Sequence, residues 1–203
     1  MEHTPADLRM RLRSATQGIH QRVELAMDLD RCLASPEAYR ALLEDLLSLY
    51  RPLERSLAQV ALTGIDFNAR RKVPWLKADL MDLGHSVHTL DDVADFDGAP
   101  SPTTAEEAAG VLYVLEGASL GGQVIQRRLG PAPDVGPHWA GRFFNGYGKA
   151  TGAMWRSFVA HLNGFGADPA AAIVITASAQ ATFAAFASCL DSNRRPRNAE
   201  SLR

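Results

Sequence analysis

Apolar residues recur at three- and four-residue spacing along almost the whole chain, and most of the runs open on a helix-start signal. This is the period of an amphipathic helix, not of a strand. Thr4-Pro5 opens a stripe of Leu8, Leu12, Ala15, Ile19, Val23 and Ala26 that runs to about Met27. Thr is the cap there, and Pro stands where its missing N–H costs nothing. Ser35-Pro36-Glu37 opens a second run through Leu42, Leu46, Tyr50 and Leu57, with Pro52 inside it as an expected kink. Residues 68–84 read as a short helix capped by Gly84, and 91–102 as a loop. Ser101-Pro102 opens a helix to about Leu129, stopped by Gly130-Pro131-Ala132-Pro133. A further helix is expected over 149–162, and Pro169 opens the last one, to about Leu190.

No alternating run of strand character interrupts this pattern. The expected architecture is all-α, with about six to eight helices in one domain. The domain is expected over residues 1–191, with 192–203 as a polar, disordered tail. A chain of 203 residues can bury a core without staples. Its 21 Lys plus Arg against 23 Asp plus Glu argue against a general nucleic-acid binder. Two cysteines, Cys32 and Cys189, without a C-x-x-C, argue against a disulfide scaffold or structural zinc. With no leader-like segment, a cytoplasmic chain is the expectation. The alanine-rich stretch from Ala170 to Leu190 is dotted with Thr, Ser and Gln, so it reads as a buried helix and not a membrane span.

One helix breaks the usual rules. Tyr113-Val114-Leu115-Glu116-Gly117-Ala118-Ser119-Leu120-Gly121-Gly122-Gln123 puts three glycines within six residues of a helical pattern. Each costs roughly 0.5–1 kcal/mol relative to Ala. Gly110, Gly117 and Gly121 fall near one face and would form a strip of bare backbone. Close helix–helix packing explains such a strip, and so does contact with a flat ligand.

His20 lies at the edge of the first apolar stripe. A histidine there is either a boundary residue of the core or an axial ligand for haem iron. Glu24, one turn on, can accept the other ring N–H and orient the ring.

Three segments together resemble the haem oxygenases. Leu12 to Glu24, with Ser14-Ala15-Thr16-Gln17-Gly18-Ile19-His20, resembles their proximal helix. Tyr113 to Gly122 resembles their glycine-rich distal helix. Phe143-Phe144-Asn145-Gly146-Tyr147-Gly148, followed by Met154-Trp155-Arg156-Ser157-Phe158, resembles a third segment. The blocks come in the family's order and span roughly Leu8 to Leu190. The likeness is closest to the bacterial branch associated with bacteriophytochromes.

The resemblance implies an all-α fold that sandwiches haem between a proximal and a distal helix. His20 would be the iron ligand, with Glu24 behind it. Gly117, Ala118, Gly121 and Gly122 would lie over the other haem face, with Gly117, Gly121 and Ser119 as the catalytic set. Arg13 and Arg156 match basic positions that contact the haem propionates, and Tyr113 can donate its hydroxyl there. Lys149 is a weaker candidate. The reaction implied is cleavage of haem at a meso carbon to biliverdin, CO and ferrous iron, consuming O2 and electrons. Haem is both cofactor and substrate. Animal members carry a carboxylate where this chain has Ala118, and the bacterial branch often has Ser there. The task of organising distal water then falls to backbone carbonyls, Ser119 or another helix. Ala118 also leaves open a non-catalytic haem-binding or haem-sensing protein on the same fold.

The chain carries no G-x-G-x-x-G and no iron–sulfur motif, so electrons must come from an external ferredoxin or flavoprotein reductase. A bacteriophytochrome is the biliverdin acceptor that the resemblance implies. His85, His88, His138 and His161 have no ligand set in the sequence and read as ordinary surface or core residues. The aspartates between 91 and 97 lack the spacing of a calcium loop.

Overall fold

The computed structural model describes residues 8–129, 136, 138–166 and 168–192. Among them lie nine α-helices and no strand. The long ones are α1 (Leu8–Met27), α3 (Pro36–Leu57), α4 (Val73–Asp82), α6 (Ala105–Leu129), α8 (Thr151–Asn163) and α9 (Pro169–Ser192). Short helices α2 (Leu29–Cys32), α5 (Val87–Asp91) and α7 (Arg142–Asn145) join them. The all-α expectation holds. The Thr4-Pro5 start, the Gly130–Pro133 stop and residues 193–203 of the expected tail lie outside the described residues.

Local chemistry explains the boundaries. Ser35 caps α3 by accepting the Ala38 N–H. Pro52 sits inside α3 and has no N–H for the Ser48 carbonyl. The Phe96 N–H takes that carbonyl at 3.0 Å, which ties the 92–104 loop to α3. Gly84 ends the α4 region with φ +95°, and the His85 N–H reaches back to the Leu80 carbonyl. The expected helix over 68–84 is instead a 3-10 turn, Asn68–Arg70, followed by α4. The helix expected at Pro102 begins at Ala105. Thr104 accepts the Glu107 N–H, and Glu107 Oε2 accepts the N–H groups of Thr103 and Thr104. This reciprocal capping wins over the Ser-Pro signal, while Ser101 is engaged with Ser56.

The core forms around α9. It packs against α6 and α1 along most of its length and against α3 at its C-terminal half. Among the described residues, two helices are long and apolar enough to cross a membrane, α6 and α9, and they pack on each other in this core. Their contact is backbone to backbone at Gly110. A Cβ there would stand 2.5 Å from the Ile175 carbonyl oxygen and 2.9 Å from the Ala179 nitrogen. Gly122 does the same on another side of α6, where a Cβ would lie 2.8 Å from the Phe144 carbonyl oxygen.

α7 is held by a buried carboxylate. Asp79 accepts the N–H groups of Arg142 and Phe143 and the Arg142 guanidinium, and Asp82 accepts the Ala140 N–H and the same guanidinium. Burial pushes the Asp79 carboxyl above the usual carboxylate range. This anchor places the Phe144 backbone against Gly122.

Gly110→Ala tests the packing account. The methyl gains up to ~1 kcal/mol of helix propensity, but fixed backbone blocks it and overpacking costs about 1–3 kcal/mol. Thermal unfolding of the variant should shift down by roughly 2–6 °C. A Tm at or above that of the parent would show that the contact is not tight.

Candidate functional site

α1 and α6 approach each other at two levels and stay apart between them. At one end the Thr16 hydroxyl, which donates to the Leu12 carbonyl, stands near the Tyr113 hydroxyl, with Arg13 close by. At the other, Arg128 pairs with Asp30 just beyond α1. His20 lies four residues past Thr16, and Gly117 lies four residues past Tyr113. With a rise of about 1.5 Å per residue, each stands about 6 Å along its helix from that contact. The two helices run the same way, so His20 and Gly117 share one level of the gap. α9 forms the floor. The Phe183 ring meets the His20 ring edge-on at 5.5 Å, and Gln180 donates to the Ala15 carbonyl.

The His20 ring is open to solvent beside Glu24. Its side chain is 55% exposed, and Nδ1 lies 3.5 Å from Glu24 Oε1. A proton on Nδ1 directed at Glu24 leaves Nε2 as the lone-pair nitrogen.

The glycines divide into two sets. Gly110 and Gly122 are filled by neighbouring backbone, as described above. Gly121 has nothing within 4 Å of the place where a Cβ would stand, and Gly117 has only the tip of Trp155 at 4.0 Å. Gly117, Leu120, Gly121 and Val124 fall on one helix face, at i, i+3, i+4 and i+7. Leu120 is 38% exposed and Val124 55%, on a helix otherwise sunk in the core. Bare backbone flanked by uncovered apolar side chains, facing an exposed imidazole at the same level, fits a flat, largely apolar ligand that carries a metal at its centre.

Other expected residues are placed as follows. Arg13 and Arg156 are exposed, the first beside Tyr113 and the second next to Trp155 on α8. Lys149 is exposed. Tyr113 is half-buried, with its ring 6.0 Å from Trp155, and burial raises the pKa of its hydroxyl. Ala118 is exposed. Two residues do not face the gap. Ser119 is buried, its hydroxyl donates to the Leu115 carbonyl, and it packs against Gly146. Gly122 is consumed by α7. Both lie around the back of α6, because a helix advances by ~100° per residue.

Sequence reasoning missed the cluster behind Gly117, although Glu116 and Tyr147 stand in the second and third resembling segments. Glu116 is 1% exposed. Its Oε2 accepts from Arg70 Nη1 at 2.6 Å, and its Oε1 accepts from Lys72 Nζ and from the Tyr147 hydroxyl, both at 2.8 Å. Arg70 and Lys72 are themselves buried, and Arg70 also donates to the Met154 carbonyl and Ser157. Burial pulls the Lys72 amine down and the Glu116 carboxylate opposes it. Glu54 stands beside them and accepts the N–H groups of Lys72 and Val73. Gly146 and Gly148 take φ of +56° and +57°, which turns the chain tightly around Tyr147. Trp155 is a second residue to add, as the side chain that borders Gly117; its only sequence signal was its place in the third resembling segment.

The family model for Heme oxygenase matches residues 6–192. A heme oxygenase of Xanthomonas campestris pv. campestris is 39% identical over 139 residues, which is 68% of this chain and 78% of that protein. Among solved structures, the NO- and CO-bound heme oxygenase of Neisseria meningitidis superposes with a TM-score of 0.75. It is 23% identical and covers 92% of this chain and 91% of its own. Heme oxygenase-1 of the cyanobacterium Synechocystis, in complex with heme, superposes with a TM-score of 0.72. It is 19% identical and covers 92% of both chains. At these identities the two structures establish the shared fold, and the family match over nearly the whole sequence does the rest: the chain belongs to the haem oxygenase family.

Proposed function

We propose that this chain cleaves haem at a meso carbon to biliverdin, CO and ferrous iron, with O2 and electrons from outside. The observation that carries the reading is the bare backbone at Gly117 and Gly121, held at the level of an exposed His20 whose Nδ1 is turned to Glu24. When bound, haem supplies the redox centre and the macrocycle that is opened.

The chain's own residues then have separate tasks. His20 holds the group through Nε2, and Glu24 fixes the ring and raises its basicity. The open backbone of Gly117 and Gly121 would let α6 lie close against the group and would leave room for small molecules beside it. Leu120 and Val124 cover apolar surface and exclude bulk water. Arg13, Arg156 and the Tyr113 hydroxyl would meet the haem carboxylates, as the family positions they match imply. Protons are held by water ordered on backbone carbonyls near Gly117 and Ala118, since Ser119 bonds back to Leu115 and Glu116 is spent on Arg70 and Lys72. Electrons come from a ferredoxin or a flavoprotein reductase. The setting is cytoplasmic, and the acceptor of the product in the associated bacterial branch is a bacteriophytochrome.

A second reading has one observation in its favour. No carboxylate faces the gap from α6, because Ala118 has none and Glu116 points away. A non-catalytic haem-binding or haem-sensing protein is consistent with that.

Haemin titration followed by turnover separates the two. Addition of haemin should give the visible spectrum of a histidine-ligated haem, and His20→Ala should abolish it. In air with ascorbate, that spectrum should bleach while a red-absorbing biliverdin band grows. Haem that binds through His20 but stays intact with competent donors would decide for the sensor. An unchanged spectrum in the His20→Ala variant would remove the ligand assignment.

Gly121→Ala should move stability and binding in opposite directions. The new methyl meets open space, so the haem-free chain should gain ~0.5–1 kcal/mol of helix propensity. Its Tm should rise by roughly 1–4 °C, while haem affinity falls. A variant that binds haem as tightly as the parent would show that α6 does not approach the ligand at this residue.

A further inference from the structure

We propose that Glu116, clasped by Arg70, Lys72 and Tyr147, is a positioning residue: it sets the rotation and height of α6 beside Gly117, and so where the bare backbone stands over bound haem. The inference rests on the haem reading above.

The geometry is directional. Three donors from two separate segments converge on the two oxygens of one carboxylate. Such charge-assisted bonds are short and fix orientation as well as distance. The Glu116 side chain leaves α6 about a quarter turn from Gly117 and less than half a turn from Gly121. Rotation of the helix that swung the bare strip away would pull the carboxylate off its donors.

A second polar side chain repeats the arrangement. Gln123 lies seven residues on, on the same face as Glu116. It donates to the Gly148 carbonyl at 2.8 Å and to Thr151 at 3.0 Å. Glu116 and Gln123 therefore bracket Gly117 to Gly122 and both hold the same stretch, residues 147–151. The glycine contacts cannot do this alone. Gly110 and Gly122 fix how near α6 comes to α9 and α7, but they have no side chain to resist a slide along them.

Stability does not account for the cluster. Apolar residues of similar volume in place of a buried ion group are often neutral or stabilising. Hydrophobic contact is non-directional. What the charged set adds is a single register.

The test compares the wild-type chain with Glu116→Gln, Tyr147→Phe and a triple apolar variant, Arg70→Met with Lys72→Met and Glu116→Leu. Tm, haemin affinity by optical titration, haem-methyl proton resonances of the ferric cyanide complex, and the biliverdin isomers formed with ascorbate are measured. The expected result is near-parental haemin affinity, extra or shifted haem-methyl resonances, a mixture of isomers, and turnover lower by roughly 10–100-fold. The triple variant should regain the parental Tm without regaining the single set of resonances. Parental resonances and turnover in the variants would overturn the inference and leave a stability role only. If Glu116→Gln or the triple variant fails to fold, Tyr147→Phe decides, because it removes one O–H and keeps both ion pairs. A wild-type chain that takes up no haem through His20 would overturn the haem reading and this inference with it.

Discussion

A mid-helix glycine costs stability unless something uses the space it leaves, and the middle of α6 carries four. Two of them, Gly110 and Gly122, bring α6 into backbone contact with α9 and α7. That contact offsets their cost within the protein itself. Gly117 and Gly121 have no such partner. Their cost is not offset by packing among the described residues, and the space they leave is the one the proposed ligand would use. One helix thus does two opposed things over thirteen residues, Gly110 to Gly122: it packs as closely as backbone allows, and it leaves backbone uncovered. The arrangement of α7, α8, α9 and the 68–73 segment follows from holding α6 still while it does both.

How much of this was legible depended on whether the signal was local. Ser35 and Gly84 act within their own turns, so capping rules placed them correctly. The Ser101-Pro102 start failed because Thr104 and Glu107 offered a better reciprocal cap three residues on. Short α7 was missed because its stability comes from Asp79, 63 residues earlier in the chain. The same limit governed the site. His20 and Glu24 share one helix face, so their pairing could be read from a four-residue spacing. Gly117 and Gly121 could be placed on one face, but spacing alone could not separate them from Gly110, whose neighbour is α9. Ser119 and Gly122 were grouped with the open glycines through the motif, while the helical angle turns them to the back. Arg70 and Lys72 lie in a 3-10 turn and a helix cap with no motif, and only the fold brings them to Glu116.

The proximal helix shows the complementary economy. The expected stripe on α1 runs from Leu8 to Ala26, yet only Leu8, Leu12, Thr16 and Ala26 are buried. Ile19 and Val23 are half-covered and Ala15 is exposed. The middle of α1, where His20 stands, therefore rests on α9 through one side only, with the Phe183 ring beneath the imidazole. Elements with few buried apolar contacts open at low free-energy cost. The distal helix is the reverse, clasped by ions, amide and backbone on every side but the open one. A rigid wall facing a lightly held one suits a bulky planar ligand that must enter and leave. On the proposed reading, α6 is the wall held by buried ion pairs and backbone contact, and α1 would offer the single nitrogen of His20. A ligand bound between α1 and α6 would stabilise the folded chain by mass action, and the exposed middle of α1 around His20 would gain the cover it lacks.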